Sequence, residues 1–369
     1  MRLLQRIQAP DEEAAAERTW SVVRAAYRER EPVLRSRRRA RPALLLAAAL
    51  AVVAGAATSP GRAVIGSLRK AVGVEHAAPE LFRLPTGGRL LVNSSSGPWI
   101  VKADGSKRHL GDWRDAAWSP HGLYVVASRA NELAALDPQG HVRWTLSRPA
   151  VRFPSWGGST ADTRIAYLTT SRLHVVAGDG TQDGDAGGMP AAARVAPAWR
   201  PGPGLLLAYV TTRGRVKSFD AAGTSAWQSS VLLPHPRSLE WSSDGQRLLV
   251  VTRDKLAVLR GGRPLSLRSE RVEAATFRPG THDVTVLRRH GPTSEALVGG
   301  RVVFRGTGSF EDLAWSPDGR WLVLTWPTAD QWVFVRVTGP RKIVAVSNVT
   351  RQFGGGSFPT LAGWCCSAP

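Results

Sequence analysis

An aromatic residue that precedes a tight polar turn and an apolar segment recurs along this chain, and it constrains the fold more than any other feature. The clearest copy is "LAWSPDGRWLVL", residues 313–324. Successive aromatics of the repeat are 38, 43, 42, 36 and 38 residues apart. An interval of about 40 to 45 residues is typical of one four-stranded blade of a β-propeller. The aromatic residues are Trp118, Trp156, Trp199, Trp241, Phe277 and Trp315.

The chemistry of the repeat explains why it would build a blade. In the turn, Pro317 presets φ, Asp318 suits the second central position, and Gly319 tolerates the positive φ that reverses the chain. The segment that follows is apolar on both strand faces, so it needs cover on both sides, which stacked blades supply. We therefore interpret each aromatic as a wedge between neighbouring blades rather than as part of a catalytic motif.

A seventh unit is predicted from the two ends of the repeat region. Residues 87–111 contain strands but lack an aromatic strand in front of them, whereas residues 360–366, "TLAGWCC", form an aromatic strand with no repeat behind it. Joining these segments makes one blade, adds Trp364 to the wedge aromatics and removes the exposed sheet edges. The sequence thus predicts an all-β, seven-bladed propeller, with six blades as the alternative.

The motif also carries a family resemblance. The turn "WSPDG" followed by an apolar strand resembles the WD-repeat-like propeller of the TolB type, over residues 83–366. Only the copies at Trp118, Trp241 and Trp315 stay close to the motif, and the Trp-Asp and Gly-His dipeptides of eukaryotic WD repeats are missing. The resemblance implies a bacterial propeller and is specific to fold, not to function.

The segment before the propeller predicts a membrane anchor. Residues 42–61, "PALLLAAALAVVAGAATSPG", are free of charge, and their apolar part is long enough as a helix to cross a bilayer. The Arg-rich cluster at 35–41 directly before them predicts that the N-terminus is cytoplasmic and the propeller extracytoplasmic. Two alternatives are a cleaved signal peptide, for which Ala54 and Ala56 resemble the cleavage site, and a buried helix.

These features divide the chain into a basic cytoplasmic segment at 1–41, a transmembrane helix at 42–61, a juxtamembrane linker at 62–82 and the propeller at 83–369. Within the first segment, residues 11–31 read as an amphipathic helix that Pro32 terminates. Trp20, Val23 and Tyr27 share one face of it, as a docking surface for a cytoplasmic partner would require. The alternative is a helix that lies on the anionic inner leaflet. The order of helix, span and external domain resembles transmembrane anti-sigma regulators.

Motifs for catalysis are missing from the sequence. It contains no Gly-x-Ser-x-Gly elbow, no His-Glu-x-x-His helix and no Gly-Lys-Ser or Gly-Lys-Thr phosphate loop. The Asp-rich loop that starts at Asp179 could attract calcium, but it departs from the EF-hand pattern, and an inter-strand loop is the preferred reading. We therefore predict no catalytic, cofactor-binding or metal-binding residues. Cys365 and Cys366 could form a disulfide in an oxidising exterior or remain free thiols.

Composition bears on the partner. The chain has 49 Lys and Arg against 29 Asp and Glu, a formal charge of +20, which favours a membrane surface, an anionic polymer or an acidic protein face, with nucleic acid least favoured. The leading hypothesis is a membrane-anchored propeller that binds a ligand or protein without chemistry. The alternatives are a transmembrane regulator whose N-terminal helix holds a cytoplasmic factor, and a propeller hydrolase with an unrecognised site.

Overall fold

The computed structural model describes residues 77–78, 83–159, 161–170, 172–186, 195–220 and 223–366. Within these residues the strands form seven sheets, each with four antiparallel strands. The four are consecutive in the chain in six sheets, the seventh combines a C-terminal strand with three N-terminal ones, and one sheet has a fifth, parallel strand. The first strands of the sheets contact one another in sequence around a closed ring. Each sheet is therefore one blade, with its first strand innermost and its fourth strand outermost, and the prediction of seven blades is confirmed.

The two ends of the repeat region share blade 1. Its first strand is Thr360–Cys365, which pairs with Arg89–Ser94 of the same sheet. This pairing closes the ring by hydrogen bonds and leaves no unpaired inner edge at the junction. Blade 1 contains, from inside to outside, Thr360–Cys365, Arg89–Ser94, Gly97–Val101 and Lys107–His109.

The other blades follow in chain order. Blade 2 contains Asp115–Trp118, Val125–Arg129, Glu132–Leu136 and Val142–Ser147. Blade 3 contains Arg152–Gly158, Thr163–Leu168, Leu173–Ala177 and Gly184–Asp185. Blade 4 contains Ala198–Trp199, Leu207–Val210, Val216–Phe219 and Ser225–Gln228.

Blade 5 contains Pro236–Trp241, Leu248–Thr252, Leu256–Arg260 and Arg263–Arg268. Blade 6 contains Ala274–Phe277, Val284–His290, Thr293–Val298 and Arg301–Thr307. Blade 7 contains Leu313–Trp315, Trp321–Trp326, Gln331–Arg336 and Ile343–Ser347, and Ala77–Ala78 adds a short parallel strand at its outer edge. A 3-10 turn at Pro327–Ala329 and a short helix at Val349–Gln352 complete the described elements.

The core lies between the blades. The middle strands are buried on both faces, as in Trp321–Trp326 and Leu248–Thr252, because each is covered by the blade on either side. The outer strands alternate or are exposed, as in Val142–Ser147. We call the face that carries the turns between second and third strands, and the connections between blades, the upper face; the opposite face is the lower face.

The first-strand aromatics point toward the preceding blade. Trp199 and Trp241 donate their indole N–H groups to carbonyl oxygens of the preceding first strand, Ser155 O at 3.1 Å and Ala198 O at 3.0 Å. Trp315 donates to Thr285 Oγ1 of blade 6 at 3.0 Å. All of the predicted wedge aromatics are buried apart from Trp118, which is half-buried. A large ring thus occupies each inter-blade wedge near the axis.

The turn "SPDG" has the conformation that its residues favour. Ser316 donates to a carboxylate oxygen of Asp318 and accepts the backbone N–H of Trp321 at 2.9 Å. Gly319 has a φ of 63°. These bonds within the turn fix its conformation, and partners from elsewhere add to them: Thr86 Oγ1 donates to Asp318 Oδ2 at 3.1 Å, and Arg278 Nε donates to Gly319 O at 3.0 Å.

The predicted anchor and the Trp20, Val23 and Tyr27 face lie outside the described residues. Among the residues that are described, no helix has the length and apolar character needed to span a bilayer.

Candidate functional site

A groove of about 730 Å3 lies on the upper face between blades 1 and 2. It is formed by the turn at Ser94 and Ser95, the connection at 112–114, and the turn at 129–132. The outer strand of blade 2 adds the hydroxyl groups of Thr145 and Ser147. We call it the upper groove, and its lining is dominated by hydroxyl, amide and guanidinium groups.

Arg129 and Trp113 form the most ordered part of the upper groove. The Arg129 guanidinium lies 4.9 Å from the centre of the Trp113 ring, and its Nε donates to Glu132 Oε2 at 2.6 Å. Trp113 is buried, while the Arg129 side chain is 54% exposed. A ring below and a carboxylate beside the guanidinium fix its plane, so it is preorganised to present its remaining donors to a ligand.

Polar groups with unused capacity surround this pair. Arg114 is held by its backbone N–H, which donates to Ser128 O at 2.7 Å, while its exposed guanidinium forms no ion pair within the described part of the chain. Asn131 accepts the Ala150 N–H at 3.4 Å through Oδ1, which leaves its side-chain donors unassigned. Asp112 is exposed beside them. Donors and acceptors of this kind match the backbone and side chains of a polar peptide segment.

Three carboxylates line the inner wall of the ring. Glu240 accepts the Phe277 N–H at 3.3 Å, and Asp312 accepts the Leu361 N–H at 3.4 Å, each from the first strand of the next blade. Although both residues keep partial exposure, their carboxyl groups are enclosed by protein. Burial raises the pKa of Glu240 to about 7 and that of Asp312 to about 6. Burial also raises the pKa of Asp115.

These carboxylates belong to blades 2, 5 and 7, and each makes its own contacts. Asp115 interacts with the Phe153 backbone of blade 3, in the same direction around the ring as the other two. Each of the three carboxylates thus links the inner end of its own blade to the first strand of the next blade. The raised pKa values of these carboxylates link the stability of the inner wall to pH.

A disulfide joins Cys365 and Cys366 at the lower end of the first strand of blade 1. It lies against Gly122 in the first turn of blade 2, whose carbonyl oxygen accepts a hydrogen bond from Arg89 Nη2 at 2.6 Å. The Arg89 guanidinium also lies 5.0 Å from the centre of the Trp118 ring. Burial lowers the pKa of Arg89. The cluster fastens the closing strand of the ring to blade 2.

The Asp-rich loop is engaged in structural contacts. Asp179 accepts hydrogen bonds from Thr181, Asp183 pairs with Arg148, and Asp185 pairs with Arg172. The three carboxylates are thus held by separate partners. Across the described ranges no group of three or more His, Cys, Asp and Glu side chains converges on one point.

Sequence reasoning did not single out the upper groove. Trp113 stands five residues before Trp118, outside the register of the repeat, and Arg129 lies in a turn with no motif. The available signal was the polar context "GDWRD", since a Trp between charged residues in a connection is unusual for a packing residue. Recognising the site also requires knowing that two turns and a connection meet on one face.

Comparisons with known proteins address the fold. The sequence matches no protein-family model and no curated protein. The C-terminal WD40 domain of Sif2 is similar in structure, with a TM-score of 0.53 and 12% identity over 74% of this chain and 90% of that one. Hsv2 of Kluyveromyces lactis gives 0.50 and 12%, covering 70% and 93%.

A chain in the structure of a mitotic checkpoint complex is also similar, with a TM-score of 0.50 and 14% identity over 62% of this chain and 77% of that one. Identities at this level carry information about fold alone. Together with the ring of seven sheets, they identify this chain as a WD40-like seven-bladed β-propeller.

Proposed function

We propose that this protein is a non-catalytic binding module that takes a polar segment of a partner protein into the upper groove. The preorganised Arg129–Trp113 pair, next to the exposed guanidinium of Arg114, carries this proposal. Arg and Trp are the residue types most often found at the energetic centre of protein interfaces. A propeller supports such a role because a rigid ring holds its turns in fixed relative positions.

The polar groups that line the upper groove indicate which kind of partner segment would bind there. Arg114 can bind a carboxylate bidentately, while the Asn131 amide and the hydroxyl groups of Thr145 and Ser147 suit backbone groups of an extended chain. The carboxylates Asp112 and Glu132 also line the groove, and Glu132 is already paired with Arg129. The best ligand is therefore a mixed polar segment with one acidic side chain, rather than a polyanion.

Site-specific crosslinking in the full-length protein tests the proposal. A photoreactive residue at Asn131 should capture a discrete partner, whereas one at Arg341, an exposed residue of a lower-face turn, should not. Arg114→Glu should lower the Asn131 capture by about tenfold, because it reverses the charge that meets the acidic side chain. Equal capture from both positions, or capture that Arg114→Glu leaves unchanged, would refute a role for this groove.

We further propose that residues 42–61 anchor the protein in the cell membrane, with the propeller outside and residues 1–41 in the cytoplasm. The uncharged run and the Arg cluster before it support this orientation. A compartment-specific reporter placed after Pro369 should give an extracytoplasmic signal, and a cytoplasmic signal would reject the orientation. An N-terminal tag that remains on the membrane-bound protein would exclude cleavage of a signal peptide.

A regulatory role is the second candidate, favoured by the shared helical face of Trp20, Val23 and Tyr27. In this version the N-terminal helix holds a cytoplasmic factor while the propeller binds outside. Residues 1–41 should capture a specific cytoplasmic protein, and Trp20→Asp should abolish the capture. Binding of 1–41 to anionic vesicles alone, unaffected by Trp20→Asp, would instead favour a helix that lies on the inner leaflet.

A further inference from the structure

The outer strands carry a second set of aromatics that the sequence repeat does not reveal. In blades 2, 4 and 6 a large ring stands at the same register position of the fourth strand, directly after a β-bulge. In blade 5 the same bulge precedes the same register position, but the residue there is Ser266, opposite Val258. The ring-bearing positions are Trp144 opposite Ala135, Trp227 opposite Ser218 and Phe304 opposite Ala296.

These outer rings fill the space between a blade and its successor. Trp144 donates its indole N–H to Gly178 O of blade 3 at 2.9 Å. Trp227 packs edge-on against Trp241 of blade 5, with ring centres 6.0 Å apart. Phe304 makes the same kind of contact with Trp326 of blade 7 at 5.9 Å. Each outer aromatic thus fills the outer end of the gap between two blades. We call such a side chain a plug, and the outer end of the gap its mouth.

Beside Ser266 there is space for such an aromatic side chain, and no aromatic side chain of the outer strand occupies it. The turn of blade 5 that receives Trp227 contains Gly262, where an added Cβ would lie 3.1 Å from the Trp227 ring. Gly300 occupies the same position in the turn of blade 6, and an added Cβ there would meet nothing within 4 Å. Blade 6 therefore keeps the glycine turn that faces an outer ring, while blade 5 does not supply the ring.

A groove of about 560 Å3 opens at this place between blades 5 and 6. Its floor consists of Val258, Val286 and Leu297, which an outer ring would cover. The corresponding mouth between blades 2 and 3 keeps a smaller cavity of about 440 Å3, and there Trp144 itself forms part of the lining. An apolar floor at the mouth of a wedge loses both packing and burial unless another group occupies it.

Cations stand at the two ends of the groove. Arg247 follows the lower-face turn of blade 5, and Arg268 lies opposite Leu256 at the upper end of the outer strand. Neither guanidinium has a hydrogen-bond or ion-pair partner within the described ranges. Of the carboxylates in the lining, Glu270 lies 3.8 Å from Arg288, and Asp283 is exposed at the lower end. Two unpaired guanidinium groups around an apolar slot match a ring with carboxylates on both sides.

We propose that the groove between blades 5 and 6 binds an aromatic side chain flanked by acidic residues on an extended segment of a partner protein. The ring takes the place of the missing outer aromatic, on the apolar floor beside Gly300. The flanking carboxylates pair with Arg247 and Arg268. This site is separate from the upper groove, which lies between blades 1 and 2.

Fluorescence anisotropy with short labelled peptides and the full-length protein tests the assignment. An acetylated Asp-Trp-Asp peptide should bind about tenfold more tightly than Asp-Ala-Asp, because the ring buries apolar surface in the slot. It should also bind about tenfold more tightly than Lys-Trp-Lys, whose charges meet the guanidinium groups. Equal affinity for the Trp and Ala peptides would overturn the proposal.

Ser266→Trp is the decisive variant, since it should supply the plug that blades 2, 4 and 6 carry. It should abolish Asp-Trp-Asp binding and leave the thermal midpoint unchanged or higher. Leu267→Trp, next to it on a residue that does not line the groove, is the matched control and should bind the peptide normally. Undiminished binding by the folded Ser266→Trp protein would contradict the assignment.

Two further measurements separate the alternatives. Arg268→Gln should weaken the binding of Asp-Trp-Asp by about fivefold and leave the binding of Lys-Trp-Lys unaffected. An equal loss of affinity for both peptides would reject the role of the cation.

Free indole-3-acetate should compete with the peptide only weakly. Competition as strong as that of the peptide would mean that the ligand is a small aromatic acid instead of a protein segment. Arg114→Glu should leave peptide binding intact, so failure of the upper groove and failure of this site are distinguishable.

Discussion

The first and fourth strands of the blades use large aromatic rings in different ways. Every first strand carries one, and each ring but Trp118 is buried against the preceding blade. The fourth strands carry one in blades 2, 4 and 6, while blade 5 has Ser266 at that position. Near the axis a blade must fill a wedge on each side to close the ring, so every copy is constrained. At the rim, the absence of an aromatic side chain does not prevent the propeller from closing and instead opens a groove between two blades.

Loss of an inner ring should therefore cost more than loss of an outer one. Trp315→Ala should lower the free energy of unfolding by about 3 to 5 kcal/mol, because it leaves a cavity in a wedge that neighbouring strands cannot collapse into. Trp227→Ala, at the half-buried outer position, should cost about 1 to 2 kcal/mol. Urea unfolding of the two variants measures the difference, and equal losses would break the distinction between inner and outer rings.

The inner turns should be similarly intolerant where they meet the closing strand. Gly122 has a φ of 65°, and an added Cβ would lie 2.7 Å from Cys366 Sγ and 2.9 Å from Cys365 Sγ. Gly122→Ala should cost about 2 to 3 kcal/mol, from backbone strain plus displacement of the disulfide.

Gly280→Ala is the control, since Gly280 has a φ of 72° but nothing within 4 Å of the added Cβ. It should cost about 1 kcal/mol, from the backbone alone. Thermal unfolding of both variants isolates the contact. Equal losses would show that the disulfide does not press on the turn of blade 2.

The stability contributed by the inner wall should also depend on pH. The folded protein holds a proton on Glu240 up to about pH 7, against an ordinary pKa of 4.5. Stability from this group is therefore fully present below pH 4.5 and declines as pH rises toward about 7. Glu240→Gln removes this loss of stability. Across that pH window the free energy of unfolding of the variant should therefore rise relative to that of the wild type by on the order of 2 kcal/mol.

Denaturant midpoints of the wild type and Glu240→Gln at pH values between 4.5 and 8 would show this effect. Asp312, whose pKa is raised to about 6 by burial, should give a smaller change over a lower window. A constant offset between Glu240→Gln and the wild type would mean that the carboxyl is charged in the folded protein throughout.

The smallest expected effect is a gain at the rim. Ser266→Trp should raise the free energy of unfolding by about 1 kcal/mol, since it covers Val258 and Val286 with a ring that the neighbouring turn can accept. Ser225→Trp, at an exposed position of the outer strand of blade 4 on the other side of the bulge from Trp227, should change stability by less than about 0.5 kcal/mol. A loss from Ser266→Trp would show that the seat beside Gly300 has the wrong shape for a ring.

Sequence reasoning predicted the inner half of the molecule better than the outer half. The wedge aromatics follow from spacing, because each stands a few residues before a turn whose chemistry is local to the sequence. The outer rings have no such landmark, since a bulge directly before Trp144, Trp227 and Phe304 shifts their distance from the preceding turn. Recognising Ser266 as their counterpart requires the strand register. The raised pKa of Glu240 likewise depends on enclosure by the next blade.

By itself the sequence determined that the chain is an all-β ring of blades, because the aromatic wedge, the polar turn and the doubly apolar strand are local patterns that only stacked sheets can bury. The tertiary structure alone decided where a partner could bind. The upper groove and the groove beside Ser266 are made by residues tens of positions apart in sequence, on neighbouring blades that pack against each other only in the folded protein. Their chemistry depends on which side chains meet across that gap, and spacing along the chain does not encode it.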